Sequence, residues 1–158
     1  MDNFVCFEPV VDKNSEILIL GSFPSVKSRE INFYYGNKQN KIWKIFENFF
    51  KENIGENIEN KKAFLLSHKI AMWDIVKSSN IKGSSDSDIL KNNYEINDIL
   101  KLLKKYPNIK NIYCNGKLSY NLTLKYFPNL KINYLPSTSP ANVSFKLEPW
   151  NKALESIG

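Results

Sequence analysis

The chain has 158 residues, 42% of them hydrophobic, enough to bury a core as one domain over residues 1–158 without disulfide staples. Its two cysteines, Cys6 and Cys114, give no metal-ligand spacing and are expected as buried free thiols. No basic region precedes a long apolar run at Met1-Asp2-Asn3-Phe4, and no apolar stretch reaches the length of a membrane span, so the expectation is a soluble, cytoplasmic monomer with no membrane partner.

In chain order, Ile17-Leu18-Ile19-Leu20 is a continuous apolar run ended by Gly21, the pattern of a central strand buried on both faces. Ile42, Ile45, Phe46, Phe49 and Phe50 recur at helical spacing among Lys41, Lys44, Glu47 and Lys51, which predicts an amphipathic helix over about 41–52. A polar loop is expected over 53–60 and a short helix over 63–66. Ile70 to Val76 reads as a second buried strand, followed by a Ser/Gly-rich loop from Ser78 to Asp88. Ile96, Ile99, Leu100, Leu102 and Leu103 predict a helix from Glu95 to Tyr106, stopped by Pro107. Ile109 to Cys114 reads as a third strand, Asn115-Gly116 as a turn, and Leu118 to Phe127 as a helix ahead of Pro128. Lys131 to Leu135 supplies a fourth strand, and a short helix closes the chain over 148–157. Strands alternating with helices imply βα units. The predicted fold class is α/β, a three-layer α/β/α sandwich around a four-stranded parallel sheet.

Several chemistries are poorly served by these residues. The one histidine, His68, precedes the second strand; no Gly-x-Ser-x-Gly elbow accompanies it. Gly21 to Ser25 has too few glycines for a dinucleotide fingerprint or a P-loop, and no metal-ligand pattern is present, so no cofactor and no metal are expected. A net charge of +6 favours a polyanionic partner, although a genome poor in G and C would enrich Lys, Asn and Ile in the same way. Of 22 basic residues only Arg29 is an arginine. Lysines contact phosphates but lack the fork that reads guanine edges, which points to backbone binding over sequence reading.

What remains is amide, hydroxyl and aromatic chemistry. Gly21-Ser22-Phe23-Pro24-Ser25 and Leu135-Pro136-Ser137-Thr138-Ser139-Pro140-Ala141-Asn142 both follow strands, and in an open parallel sheet such loops meet beyond the carboxyl ends, where ligands bind. Between them Tyr34-Tyr35-Gly36 leads to Asn40 and Trp43 at the start of a helix. Together they suggest a site for a flat, polar base. Asn40 is also a preferred helix N-cap residue, and Phe23, Tyr34 and Tyr35 are equally suited to inward packing.

These segments, with Ala71-Met72-Trp73-Asp74-Ile75-Val76, Gly83-Ser84-Ser85-Asp86 and Asn115-Gly116, resemble the uracil-DNA glycosylase superfamily over about residues 16–145, and within it the deoxyinosine (hypoxanthine) DNA glycosylases. The resemblance implies a monofunctional hydrolase of base excision repair that acts on DNA containing deaminated bases. By the same resemblance, Asn40 would orient a water toward C1′ of a nucleotide turned out of the duplex. Gly21, Ser22, Phe23, Tyr35, Asp74 and Asn115 would hold the base, with Phe23 and Tyr35 stacking on it and Asp74 and Asn115 at its edge. Pro24, Ser25, Pro136, Ser137, Thr138, Ser139, Pro140 and Asn142 would contact the DNA backbone. Two departures stand out: Asn37-Lys38 where that branch has His-Pro, and Ser85 where leucine is common. Excision of uracil is the nearest alternative, since uracil repeats the donor and acceptor arrangement of hypoxanthine on a smaller ring. A silent nucleic-acid-binding domain is a second, and a serine hydrolase with His68 beside Ser22 or Ser137 a third.

Overall fold

A computed structural model describes residues 4–83 and 85–158; the expectations that touch Met1 to Asn3 and Ser84 lie outside the described residues. Its centre is a parallel sheet of four strands in the order β3-β2-β6-β7, formed by β2 (Ile17–Gly21), β3 (Ile70–Asp74), β6 (Asn111–Asn115) and β7 (Asn133–Leu135). Every residue of β2 is buried, because both faces of the sheet are covered. Its alternating side chains feed two cores. Ile17 and Ile19 pack with Met72, Phe46, Leu65 and Trp150 beneath helices α2 (Ile42–Phe50), α3 (Ile58–Ser67) and α7 (Glu148–Glu155). Leu18 and Leu20 pack with Ala71, Ile112, Leu102 and Leu122 beneath α5 (Ile99–Lys105) and α6 (Lys117–Tyr126). The three-layer α/β/α architecture read from the sequence is therefore observed. Each large aliphatic or aromatic side chain buried this way contributes roughly 1.5–3 kcal/mol.

A smaller antiparallel sheet, which the sequence reading missed, joins β1 (Phe4–Val5), β4 (Val76–Ser79) and β5 (Tyr94–Ile96) in the order β1-β4-β5. The run expected as one strand over 70–76 is thus split at Ile75. There the chain leaves one sheet for the other, with Ile75 N donating to Gly21 O and Val76 N to Ser22 O. The helix expected from Glu95 starts instead at Ile99, where Asp98 caps it by accepting from Lys101 N at 3.1 Å. The Ser/Gly-rich loop contains α4 (Asp86–Lys91), capped by Ser85 Oγ on Asp88 N. Helix α3 begins at Ile58, inside the expected polar loop, capped by Asn57. A last short helix, α1 (Val26–Ile31), follows β2 directly and starts on the Ser25 cap. Cys114 is buried and Cys6 half-buried, both as free thiols.

Candidate active site

Gly21 ends β2 and Asp74 ends β3, paired in register, and a cavity of about 260 Å³ opens beyond them at the carboxyl end of the sheet. All of the sequence-predicted site residues line it except Pro136 and Asn142. A Cβ on Gly21 would overlap Asp74 Oδ1 and lie 2.9 Å from Tyr35 Oη. Only a glycine lets the carboxyl and the phenol close over the strand end here.

The loop leading into α2 is shaped by local hydrogen bonds. Asn37 Oδ1 accepts from Gln39 N at 2.9 Å and Asn37 O from Asn40 N at 2.9 Å, so Asn37 closes the turn that presents Asn40. Asn40 Oδ1 accepts from Ile42 N at 3.0 Å, although Lys41, one residue later, holds the N-cap position. The bond orients the amide, and its Nδ2 and a second lone pair of Oδ1 have no partner among the described residues. Lys41 N donates to Thr138 O at 3.1 Å, which ties this loop to the Pro/Ser loop. Trp43 Nε1 donates to Tyr35 O at 3.1 Å and thereby holds Tyr35 in a left-handed backbone conformation with φ of 50°.

In the Pro/Ser loop the expected division of labour changes. Thr138 was expected to grip DNA, but it is 1% exposed. Its Oγ1 accepts from Asn115 Nδ2 at 2.9 Å and its N donates to Asn115 Oδ1 at 3.1 Å, so both residues clamp the loop to the end of β6. Asn115 lines the cavity with its amide already engaged by Thr138 and set beside the Tyr35 hydroxyl. Pro136 lies outside the cavity, and its carbonyl accepts from Nε1 of the fully buried Trp150 at 2.8 Å. Asn142 lies outside it too and holds the loop, with Nδ2 donating to Ser137 O at 3.0 Å. Ser137 Oγ accepts from Ser139 N, and Ser139 Oγ from Ala141 N, which leaves both hydroxyl protons free to donate.

Sequence reasoning missed part of the wall: Lys27 and Ser28 of α1, Asn37, Asp86 of α4, and Lys117 and Leu118 of α6. Ser28 is buried, and its Oγ accepts from Gly36 N at 2.9 Å, joining the Gly21–Ser25 loop to the Tyr-Tyr-Gly turn. Arg29 is the other unforeseen part. Its Nε donates to Pro24 O at 3.2 Å and Ser25 O at 3.3 Å, its Nη1 to Ile81 O at 3.2 Å, and its Nη2 to Gly83 O. The guanidinium also lies 5.9 Å from the ring centres of both Phe4 and Phe23. The single arginine of the chain is therefore a clamp between two loops, a use that needs its planar fork. Phe23 is 8% exposed, edge-on to Phe4, so it is chiefly a core residue with part of its surface in the cavity.

Asp74 is 3% exposed, and burial pushes its carboxyl up to about 7. Its Oδ2 has no hydrogen-bond partner among the described residues, while the buried Tyr35 hydroxyl faces the Asn115 side chain. Burial, and then the nearby Asp74 charge, push the Tyr35 phenol well above its ordinary value. His68 is not part of the wall: its Nε2 lies 3.1 Å from Glu52 Oε1 and its ring stacks on Phe50 at 3.9 Å. A serine nucleophile activated by His68 is thereby ruled out for this cavity.

An open parallel sheet with an asparagine, an aromatic turn and a Pro/Ser loop gathered at its carboxyl end is the arrangement the resemblance led us to expect. The chain belongs to the uracil DNA glycosylase superfamily, whose pattern it matches over residues 8–157. It is 37% identical over 145 residues to a protein of Methanosarcina acetivorans named hypoxanthine DNA glycosylase, covering 88% of each chain. A second protein of that name, from Methanosarcina barkeri, is 37% identical over 114 residues, covering 72% of this chain and 71% of the relative. The solution NMR structure of a candidate uracil DNA glycosylase from Methanosarcina acetivorans superposes with a TM-score of 0.82 at 33% identity, covering 99% of both chains. Among the described residues no helix is long and apolar enough to cross a membrane.

Proposed function

We propose that this chain is a monofunctional DNA glycosylase of base excision repair that hydrolyses the N-glycosidic bond of deoxyinosine and releases hypoxanthine. The observation that carries the reading is the meeting of Asn40, its amide oriented but only half committed, with the Ser137–Pro140 loop across one cavity. The names of the two Methanosarcina relatives favour hypoxanthine as the base.

The glycosidic carbon is out of reach inside a duplex, so the nucleotide is rotated into the cavity at a cost of a few kcal/mol, less for a mispaired base. Ser137 and Ser139 donate their free hydroxyl protons to phosphate oxygens, while Lys27 and Lys117 supply positive charge at the rim. Tyr35 and the accessible part of Phe23 face the base. Asn40 holds a water between Nδ2 and the open lone pair of Oδ1, aimed at C1′. An amide cannot remove that water's proton at neutral pH, so the rate comes from positioning and from stabilising the departing base.

The test is excision from a deoxyinosine oligonucleotide under single-turnover conditions. Asn40→Ala is expected to lower the rate about 100-fold or more with DNA affinity nearly unchanged. Asn40→Asp keeps the oxygen that caps Ile42 and adds a proton acceptor, so it should keep much of the activity. Near-normal activity in Asn40→Ala would reduce Asn40 to a cap and overturn the mechanism.

A further inference from the structure

The positive charge of the chain is unevenly placed. From Ile99 to Leu147 there are eight lysines and no Asp or Glu, so this stretch carries +8 and the remainder of the chain −2. Base composition would enrich lysine along the whole chain, but it would not remove every carboxylate from one stretch. The stretch comprises α5, β6, α6, β7 and the Pro/Ser loop. Of its lysines only Lys110 has an ion-pair partner among the described residues, Glu16 at 3.8 Å. On α6, Lys117, Tyr120, Asn121 and Leu124 recur at three- and four-residue spacing and are exposed or half-buried, while Leu118 and Leu122 face the core. This stripe starts at the cavity, because Lys117 is part of its wall. Tyr134 of β7 stands beside it. Leu135 points into the core beneath α2 and α7, so strand alternation turns Tyr134 to the α6 side. There Tyr134 is 44% exposed and meets Tyr120 edge-on, with ring centres 5.9 Å apart at 87°. Lys131, two residues before β7, is exposed as well.

We propose that this face of α6 and β7 is a track for single-stranded DNA: it holds an unpaired run of the substrate strand on one side of the nucleotide in the cavity. The inference deepens the proposed function and rests on it for what occupies the cavity. Lysines suit any phosphate backbone, paired or not. The exposed tyrosines discriminate, because a ring stacks only on a base whose face is open, and inside a duplex each face is covered by its neighbours. An edge-on tyrosine pair leaves ring faces free for this. Leu124, 43% exposed, adds apolar surface, and the Asn121 amide can donate to or accept from a base edge without demanding one sequence. The absence of carboxylates along the stretch removes a repulsion that a strand leaving the cavity would otherwise meet. A second copy of the chain would bring the same uncompensated lysines against these and be repelled.

The experiment measures affinity of the full chain, by fluorescence anisotropy read before excision proceeds, for three DNAs that share one deoxyinosine strand. One is fully paired, one is unpaired from the nucleotide 5′ of the deoxyinosine outward, and one is unpaired on the 3′ side. Easier extrusion of the nucleotide benefits both partly unpaired DNAs alike, so the track shows as the difference between them. One side should bind about tenfold more tightly than the other, near the low end of what stacking one base on an aromatic ring supplies. Tyr134→Ala should abolish that difference and Tyr134→Phe keep it. Lys131→Gln should lower the slope of log Kd against log salt by about 0.7 on the favoured DNA only. Equal affinity for the two sides, a difference that survives Tyr134→Ala, or a Tyr134-dependent dimer in sedimentation overturns the proposal. Excision of deoxyinosine from the fully paired DNA is scored separately: excision with equal sides refutes the track and leaves the proposed function standing, whereas a Tyr134-dependent difference without excision from any of the three DNAs keeps the track and refutes the glycosylase.

Discussion

Asp74→Asn should stabilise the protein in a pH-dependent way. In the folded chain the carboxyl is 3% exposed, has no cation partner among the described residues and is pushed up to about 7 by burial, against an ordinary value of 3.8. The folded state therefore binds a proton more tightly than the unfolded chain does. Stability must fall as pH rises from about 4 to about 7, then level off. A shift of about three units corresponds to at most roughly 4 kcal/mol. Asparagine has nearly the same shape and no charge, so it escapes this penalty. Urea titrations of both proteins at a series of pH values give the difference directly, with the other titrating groups cancelling. The variant's advantage should be small near pH 4 and grow toward that ceiling above pH 7, a rise in melting temperature of about 8–16 °C for a chain of this size. A difference that stays flat across the range would mean that Asp74 is solvated or paired in solution. The account of the cavity would then be wrong.

Three further outcomes follow from the packing. Gly21→Ala forces a Cβ against Asp74 and Tyr35; it should cost roughly 1–3 kcal/mol and reduce excision, with wild-type values in urea melts and single-turnover assays counting against the close approach. Arg29→Lys keeps the charge but loses the fork on the Pro24, Ser25, Ile81 and Gly83 carbonyls. The variant should fold, with a stability loss of roughly 1–3 kcal/mol and an excision rate that drops more than DNA affinity does; equal changes in rate and affinity would refute a positioning role. Asn115→Ala and Thr138→Val should be strongly non-additive, with a coupling energy of roughly 0.5–3 kcal/mol in a double-mutant cycle read by denaturation, and additivity would show that the clamp does not form.

The sequence alone determined the parts set by local pattern. The apolar run ended by Gly21 marked the central strand, because a strand covered on both faces needs no polar alternation. The spacing of Ile42, Ile45 and Phe46 marked α2, and the two strand-following loops marked the cavity. What it missed depends on partners distant in the chain. The stretch from Glu95 has helical periodicity, yet Tyr94–Ile96 pairs with β4, and that pairing outweighs a weak local preference. Asp98 was a legible cap once the strand ahead of it was known. Thr138 and Asn115 both read as ligand-facing polar residues, and only tertiary structure spent them on each other across 23 positions of sequence. Arg29 had no role assigned from the sequence and became a clamp through carbonyls more than 50 residues away. The local sequence thus settled which residues reach the carboxyl end of the sheet. Which of their polar groups remain open to a ligand was decided only by the fold, because a hydrogen-bonding atom is free only after every neighbour has been placed.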